Sequence, residues 1–166
     1  CKITKNITKR IAVRLKSCNF AMKKKYRTII DSKMKEYSTY IFDLDGTLLN
    51  TLNDLAASTN YALRTMGFPE RTIEEVRCFV GNGGALLVRR AVPEGTAEEV
   101  TERTLSVFRA HYLDHGLDTT EPYEGIHELL SELKRRGKNV AVVSNKFYDA
   151  TRQLCRHFFP DTVSVA

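Results

Sequence analysis

The fold is decided by residues 38–47, STYIFDLDGT. The first half of this stretch is β-branched and aromatic, and such a run, closed by a turn signal, predicts a buried strand that ends at Asp43. Because side chains alternate along a strand, Asp43 and Asp45 are expected to face the same site while Leu44 points away. Gly46 permits a sharp turn directly after the two carboxylates.

Beyond this stretch the apolar residues take a helical period and predict an all-helical segment. Its signals are apolar residues at threes and fours from Leu52 to Met66, capping boxes at 72–75 and 96–99, and a short apolar run at 85–92 that is preceded by Gly81-Asn82-Gly83-Gly84. The sequence therefore predicts four helices between the first strand and residue 120.

The last third of the chain alternates between helix and strand. An amphipathic helix starting at Ile126 leads to 140–143, VAVV, a continuous apolar run typical of a strand buried on both faces of a parallel sheet. A further helix follows, and 163–166 is predicted to begin a third strand. This order predicts an α/β fold: a doubly wound, Rossmann-like parallel sheet with an inserted all-helical domain.

Polar residues follow both predicted strands. Ser144 and Asn145 come after the second strand as Asp43 and Asp45 do after the first, and ligands of such sheets bind at the carboxyl ends of the strands. Two neighbouring carboxylates repel each other, and a hard divalent cation such as Mg²⁺, together with a phosphate, would relieve that repulsion. The alternative is that Asp-Gly-Thr is turn chemistry alone.

Charge divides the chain into two parts. The net charge is +6, but residues 1–33 carry +10 and the remaining residues −4. The mildly acidic body gives no reason to expect a nucleic-acid partner, and no apolar run is long enough to span a membrane. Three interpretations of 1–33 stay open: sequence upstream of a natural start at Met34, an organellar transit peptide, or a polyanion-binding arm.

The four cysteines are widely separated and form no metal-binding or redox pair. We therefore expect them to be reduced, and most of them to serve as packing residues, in a cytoplasmic protein.

Two motifs resemble the signatures of one family. Residues 42–49, FDLDGTLL, resemble the first signature of the haloacid dehalogenase-like hydrolases, and 142–146, VVSNK, resemble the second. The helical insertion that contains Val80-Gly81-Asn82-Gly83 is similar to the cap of the phosphoglycolate phosphatase-like branch. The resemblance implies a core at 34–50 and 120–166 and a helical cap at 51–119, with residues 1–33 outside the domain.

The resemblance also implies roles for named residues. Asp43 would attack phosphorus and form an aspartyl-phosphate, and Asp45 would protonate the leaving oxygen and later activate water. Mg²⁺ would be held by the Asp43 carboxylate and the Asp45 backbone carbonyl. Ser144 would donate to a phosphoryl oxygen, with Asn145 beside it. Asn82, Arg89 and Arg90 would be candidates for substrate selection by the cap.

The implied activity is Mg²⁺-dependent hydrolysis of a small phosphate monoester such as phosphoglycolate. Nucleotide, pyrophosphate or sugar-phosphate substrates, and a phosphosugar mutase, would use the same aspartates. The family's later Lys and acidic signatures are expected beyond Ala166, so the chain is expected to be a fragment with little activity. Lys146 follows Ser144 too soon for that Lys role and is predicted to be a solvated residue at a helix start. An alternative of another class is an inactive protein with a polyanion-binding arm.

Overall fold

The structure, a computed structural model, describes residues 37–164. Its strands are β1 Thr39–Phe42, β2 Leu49–Asn50, β3 Glu121–Pro122 and β4 Asn139–Val142. Its helices are α1 Leu52–Thr65, α2 Ile73–Phe79, α3 Gly84–Ala91, α4 Glu98–His115, α5 Ile126–Arg135 and α6 Tyr148–Phe158. The predictions about 1–33 and Met34 fall outside the described residues. Within the described range no helix is both long and apolar enough to cross a membrane.

β1 and β4 form the parallel pair that the sequence predicts. They run in register from Thr39 opposite Asn139 to Phe42 opposite Val142. α5 and α6 flank β4 along the chain, and their apolar faces pack with the two strands in one hydrophobic cluster. The parallel α/β fold is therefore confirmed.

The third predicted strand, 163–166, lies only partly within the described residues. Val163 and Ser164 do not form a strand, but the Ser164 backbone N donates to the Val140 carbonyl of β4 at 2.9 Å. The chain thus returns alongside β4 at the position where a parallel neighbour would begin. Residues 165 and 166 are not described.

A short antiparallel ribbon joins the two ends of the helical insertion. Leu49 pairs with Pro122 and Asn50 with Glu121. Strands of two residues are too short to produce a recognisable alternation, which is why the sequence analysis predicts neither of them. The ribbon holds together the segments through which the chain enters and leaves the insertion.

The insertion contains four helices, α1 to α4, as predicted. They share a second hydrophobic cluster, in which Phe108 and Tyr112 of α4 are among the most deeply buried side chains. The domain boundaries expected at 50/51 and 119/120 stay a prediction.

One of the two predicted capping boxes is wrong. Thr72 and Glu75 form the box at the start of α2. At α4 the N-cap is Ala97, without a side-chain cap. Thr96 instead belongs to the preceding turn, where its backbone N and its hydroxyl both donate to the Pro93 carbonyl, at 3.2 and 2.7 Å, and the helix begins one residue later than the pattern predicts.

The described cysteines differ in environment. Cys155 is buried, as expected for a packing residue, whereas Cys78 is exposed, and both are free thiols. Burial, reinforced by the Asp45 carboxylate, raises the pKa of the Cys155 thiol to about 11.

We therefore expect iodoacetamide at pH 8 to alkylate Cys78 at least about 100-fold faster than Cys155, because the thiolate is the reactive form. Peptide mass spectrometry of a labelling time course measures both rates. In urea the two rates should converge, and equal rates in the native protein would contradict the buried position of Cys155.

Candidate active site

A cavity of about 70 Å³ lies at the carboxyl ends of β1 and β4. The side facing the sheet is lined by Asp43, Asp45, Ser144, Asn145 and Lys146, and the insertion contributes Leu55, Val80, Gly81, Gly83, Gly84, Leu87 and Phe108. The structure thus brings together the four residues that the sequence places after its two strands. The volume is far below the roughly 300–1,000 Å³ of pockets for drug-sized ligands, so the cavity suits a small ligand.

The loop after β1 is held by its own backbone. Leu44 is fully buried, and its carbonyl accepts hydrogen bonds from the backbone N of Leu48 and of Leu49, at 3.0 and 3.1 Å. Gly46 has a φ of 72°, the left-handed conformation that glycine adopts at little cost. This tight turn keeps Asp43 and Asp45 at the cavity while Leu44 points into the core, as the alternation of a strand predicts.

The Asp45 carboxylate is fixed by two partners. Its Oδ1 accepts from the Thr51 hydroxyl at 2.6 Å and lies 3.2 Å from Lys146 Nζ. Both of these contacts reach the same oxygen. Neither of these two contacts involves Oδ2.

The prediction that Lys146 is solvated is wrong. Its side chain is only 3% exposed, and its Nζ donates to the Tyr112 hydroxyl at 3.0 Å as well as contacting Asp45. Burial lowers the pKa of the Lys146 ammonium, while the carboxylates of Asp45 and Asp54 counter that shift. A lysine after a turn gives no local signal of burial, since its partners are distant in sequence.

Asp54 is another buried charged residue whose burial the sequence does not indicate. It lies in the first turn of α1, is 2% exposed, and accepts hydrogen bonds from the backbone N and hydroxyl of both Thr119 and Thr120. These threonines directly precede β3. One carboxylate thus joins the entering and leaving segments of the insertion.

The glycine-rich loop before α3 touches the loop after β4. Asn145 Nδ2 donates to the Gly81 carbonyl at 3.2 Å. Gly83 has a φ of 87°, and a Cβ there would lie 2.8 Å from the Asn145 carbonyl oxygen. Glycine is therefore required at position 83 for two reasons: the left-handed backbone conformation and the close approach of the Asn145 carbonyl.

Gly83→Ala is expected to destabilise the protein by about 2–3 kcal/mol, since it adds a steric clash to a left-handed backbone. Gly95→Ala is the matched control, because Gly95 has a φ of 81° with no atom within 4 Å of an added Cβ, and its cost should be about 1 kcal/mol. Urea denaturation measures both. Equal losses would show that Asn145 does not approach Gly83.

The three cap candidates lie outside the cavity lining. Asn82 is exposed between Gly81 and Gly83, which both line the cavity. Arg89 forms an ion pair with Glu98, and Arg90 donates to the Phe79 carbonyl at 2.9 Å. In this arrangement the two arginines are directed at protein groups. Their contact with a substrate carboxylate stays a prediction.

The oxygen donors at the strand ends could supply some, but not all, of the ligands that Mg²⁺ needs. The Asp43 carboxylate and the Asp45 carbonyl are hard oxygen donors, whereas no cluster of three or more His, Cys, Asp or Glu suited to a metal occurs among residues 37–164. Mg²⁺ usually keeps several waters and binds through one or two carboxylates plus substrate phosphate. The residues present fit that mode of binding.

Comparison with known families gives a match over most of the described chain. The model of the haloacid dehalogenase-like hydrolases matches residues 40–161, which include both strand ends and the whole insertion.

Similar proteins point to one branch. The chain is 43% identical over 112 residues to phosphoglycolate phosphatase 1 of Pseudomonas aeruginosa, covering 64% of this chain and 40% of the relative. It is 34% identical to phosphoglycolate phosphatase of Aquifex aeolicus, over 69% of this chain and 52% of the relative. The crystal structure of a predicted phosphoglycolate phosphatase from Haemophilus somnus superposes with a TM-score of 0.74 at 31% identity, covering 80% of this chain and 62% of that one. The chain thus spans about half, or less, of the length of these two curated relatives.

Proposed function

Because the chain belongs to the haloacid dehalogenase-like hydrolases, we propose that its protein is a phosphatase that hydrolyses a small phosphate monoester. Phosphoglycolate is the proposed substrate, since relatives at 34–43% identity carry the name phosphoglycolate phosphatase. In this proposal residues 51–119 are the cap and 34–50 with 120–166 belong to the core.

One observation carries the proposal: Asp43, Asp45, Ser144 and Asn145 line a single small cavity beneath the insertion. Two carboxylates beside a hydroxyl and an amide provide a nucleophile, an acid and hydrogen-bond donors for phosphoryl oxygens. The insertion covers them with apolar side chains and glycine backbone, which limits the access of water.

A carboxylate oxygen of Asp43 is proposed to attack the phosphorus, so that an oxygen–phosphorus bond to Asp43 forms as the bond between phosphorus and the leaving oxygen breaks. Asp45 gives its proton to the leaving oxygen. It then takes a proton from the water that attacks the aspartyl-phosphate, which releases inorganic phosphate and restores both carboxyl groups. Ser144 donates to a phosphoryl oxygen. Bound Mg²⁺, held by the Asp43 carboxylate and the Asp45 carbonyl, would neutralise phosphate charge as a Lewis acid.

The test is phosphate release by the full-length protein from phosphoglycolate and from p-nitrophenyl phosphate, with Mg²⁺ and with EDTA. We expect turnover of both substrates with Mg²⁺, a higher kcat/KM for phosphoglycolate, and loss of turnover in EDTA. Absence of release from every monoester would refute the proposal. A preference for pyrophosphate or a nucleotide, or isomerisation of a sugar phosphate, would replace it with the corresponding alternative.

A further inference from the structure

The buried Lys146 is not used by the chemistry proposed above. It lies in the loop between β4 and α6, and its side chain is 3% exposed. Its Nζ contacts Asp45 Oδ1 at 3.2 Å and the Tyr112 hydroxyl at 3.0 Å, and it lies 4.2 Å from the centre of the Tyr112 ring. The two partner residues, Asp45 and Tyr112, come from different parts of the fold.

Burying an ammonium group has a cost that packing alone does not justify. A buried ion pair is often no more stabilising than hydrophobic residues of similar volume in place of both partners, whereas loss of one partner leaves the other charge uncompensated. At this position the charge is met by a carboxylate, a hydroxyl and an aromatic face. A role beyond packing is therefore indicated, and the Asp45 contact shows where it acts.

Tyr112 connects this lysine to the insertion. It belongs to α4, is 1% exposed, and its ring packs edge-on against Phe147, the residue after Lys146. Asp54 and the Thr120 side chain, which donates to Asp54, are near enough to the Tyr112 hydroxyl to act on its pKa. A cluster of polar groups thus extends from the proposed acid toward the segment where the insertion ends.

We propose that Lys146 is a positioning residue that fixes the Asp45 carboxylate through Oδ1 and ties its orientation to α4 through Tyr112. This inference rests on the proposed function. With Oδ1 held, Oδ2 is presented to the leaving oxygen, and a shift of α4 would move Lys146 and with it the acid. Loss of Lys146 should therefore impair proton donation to the leaving group more than substrate binding.

The test compares two substrates in the full-length protein. p-Nitrophenolate leaves as a stable anion and needs little protonation, whereas the alkoxide of phosphoglycolate needs a proton. We expect Lys146→Met to lower kcat about 30–100-fold for phosphoglycolate, the loss typical of a misplaced catalytic group, with KM changed less than about 3-fold. The loss for p-nitrophenyl phosphate should be at least about 5-fold smaller. Tyr112→Phe should give the same pattern with a smaller loss, and Asp45→Asn the same pattern with a larger one.

Controls separate the inference from the proposed function. Lys134→Met, at an exposed position of α5, should behave as wild type for both substrates. Equal losses on the two substrates in Lys146→Met would overturn the positioning role. Melting temperatures give a readout without turnover: the shifts of Lys146→Met and Asp45→Asn should not add in the double variant, and additive shifts would overturn their coupling. A wild type that releases no phosphate would overturn the proposed function and the positioning role together.

Discussion

Asp43→Asn is expected to lower kcat/KM of the full-length protein by about 1,000-fold or more for every phosphate monoester, as the loss of a nucleophile does elsewhere. Asn lacks the charged oxygen that would attack phosphorus in the proposed mechanism, and it would be a weaker ligand for Mg²⁺. Both effects remove transition-state stabilisation. The loss should therefore be equal for phosphoglycolate and p-nitrophenyl phosphate, unlike the selective loss expected when Asp45 or Lys146 is changed.

The matched control is Asp114→Asn, which makes the same substitution at an exposed position on α4 and should keep wild-type turnover. Circular dichroism and melting temperature check that Asp43→Asn remains folded. Turnover above about one tenth of the wild-type value in a folded Asp43→Asn protein would refute Asp43 as the nucleophile.

The site at the strand ends was predictable because it depends on local pattern. Strand alternation places Asp43 and Asp45 on one face, and parallel pairing puts Ser144 and Asn145 at the same edge. The alternation is local, and the pairing of the two strands follows from the general order of strands and helices in α/β sheets. The short apolar run at 140–143 and the helical period from Leu52 are likewise properties of neighbouring residues, and the elements they predict are present.

The partners of Lys146 and Asp54 could not be predicted in the same way. Lys146 meets a tyrosine 34 positions earlier, and Asp54 meets threonines 65 and 66 positions later. In the sequence, Lys146 is an isolated lysine after a turn and Asp54 is an acid beside a leucine. Both patterns are common for solvent-exposed residues. Burial of these charges depends on how the insertion returns to the core. The strands of the ribbon at that point have only two residues each, which is too short to give a periodic pattern in the sequence.

Asp54→Ala is the substitution expected to reduce stability most. The carboxylate is 2% exposed and accepts from two backbone N–H groups and two hydroxyls, at 2.5 to 3.1 Å. Truncation would leave the backbone N–H and the hydroxyl of the buried Thr120 without acceptors, while the donors of the exposed Thr119 can turn to water. Each buried group left unsatisfied costs about 1–3 kcal/mol. We expect a total loss of about 3–5 kcal/mol in the free energy of unfolding, as when a buried charge loses its partners.

Asp54→Asn and Asp118→Ala distinguish lost acceptors from lost volume in the same urea denaturation series. Asn keeps the shape, but its NH₂ group would face donors where a carboxylate oxygen accepts now, so Asp54→Asn should still cost about 2–3 kcal/mol. Asp118→Ala removes an exposed carboxylate that pairs with His115 and should cost less than about 0.5 kcal/mol. If Asp54→Ala also stayed within about 1 kcal/mol of wild type, Asp54 could not be what holds the two ends of the insertion together. A large loss would instead support the role of this one carboxylate in joining the start of α1, which follows Thr51, to the segment before β3.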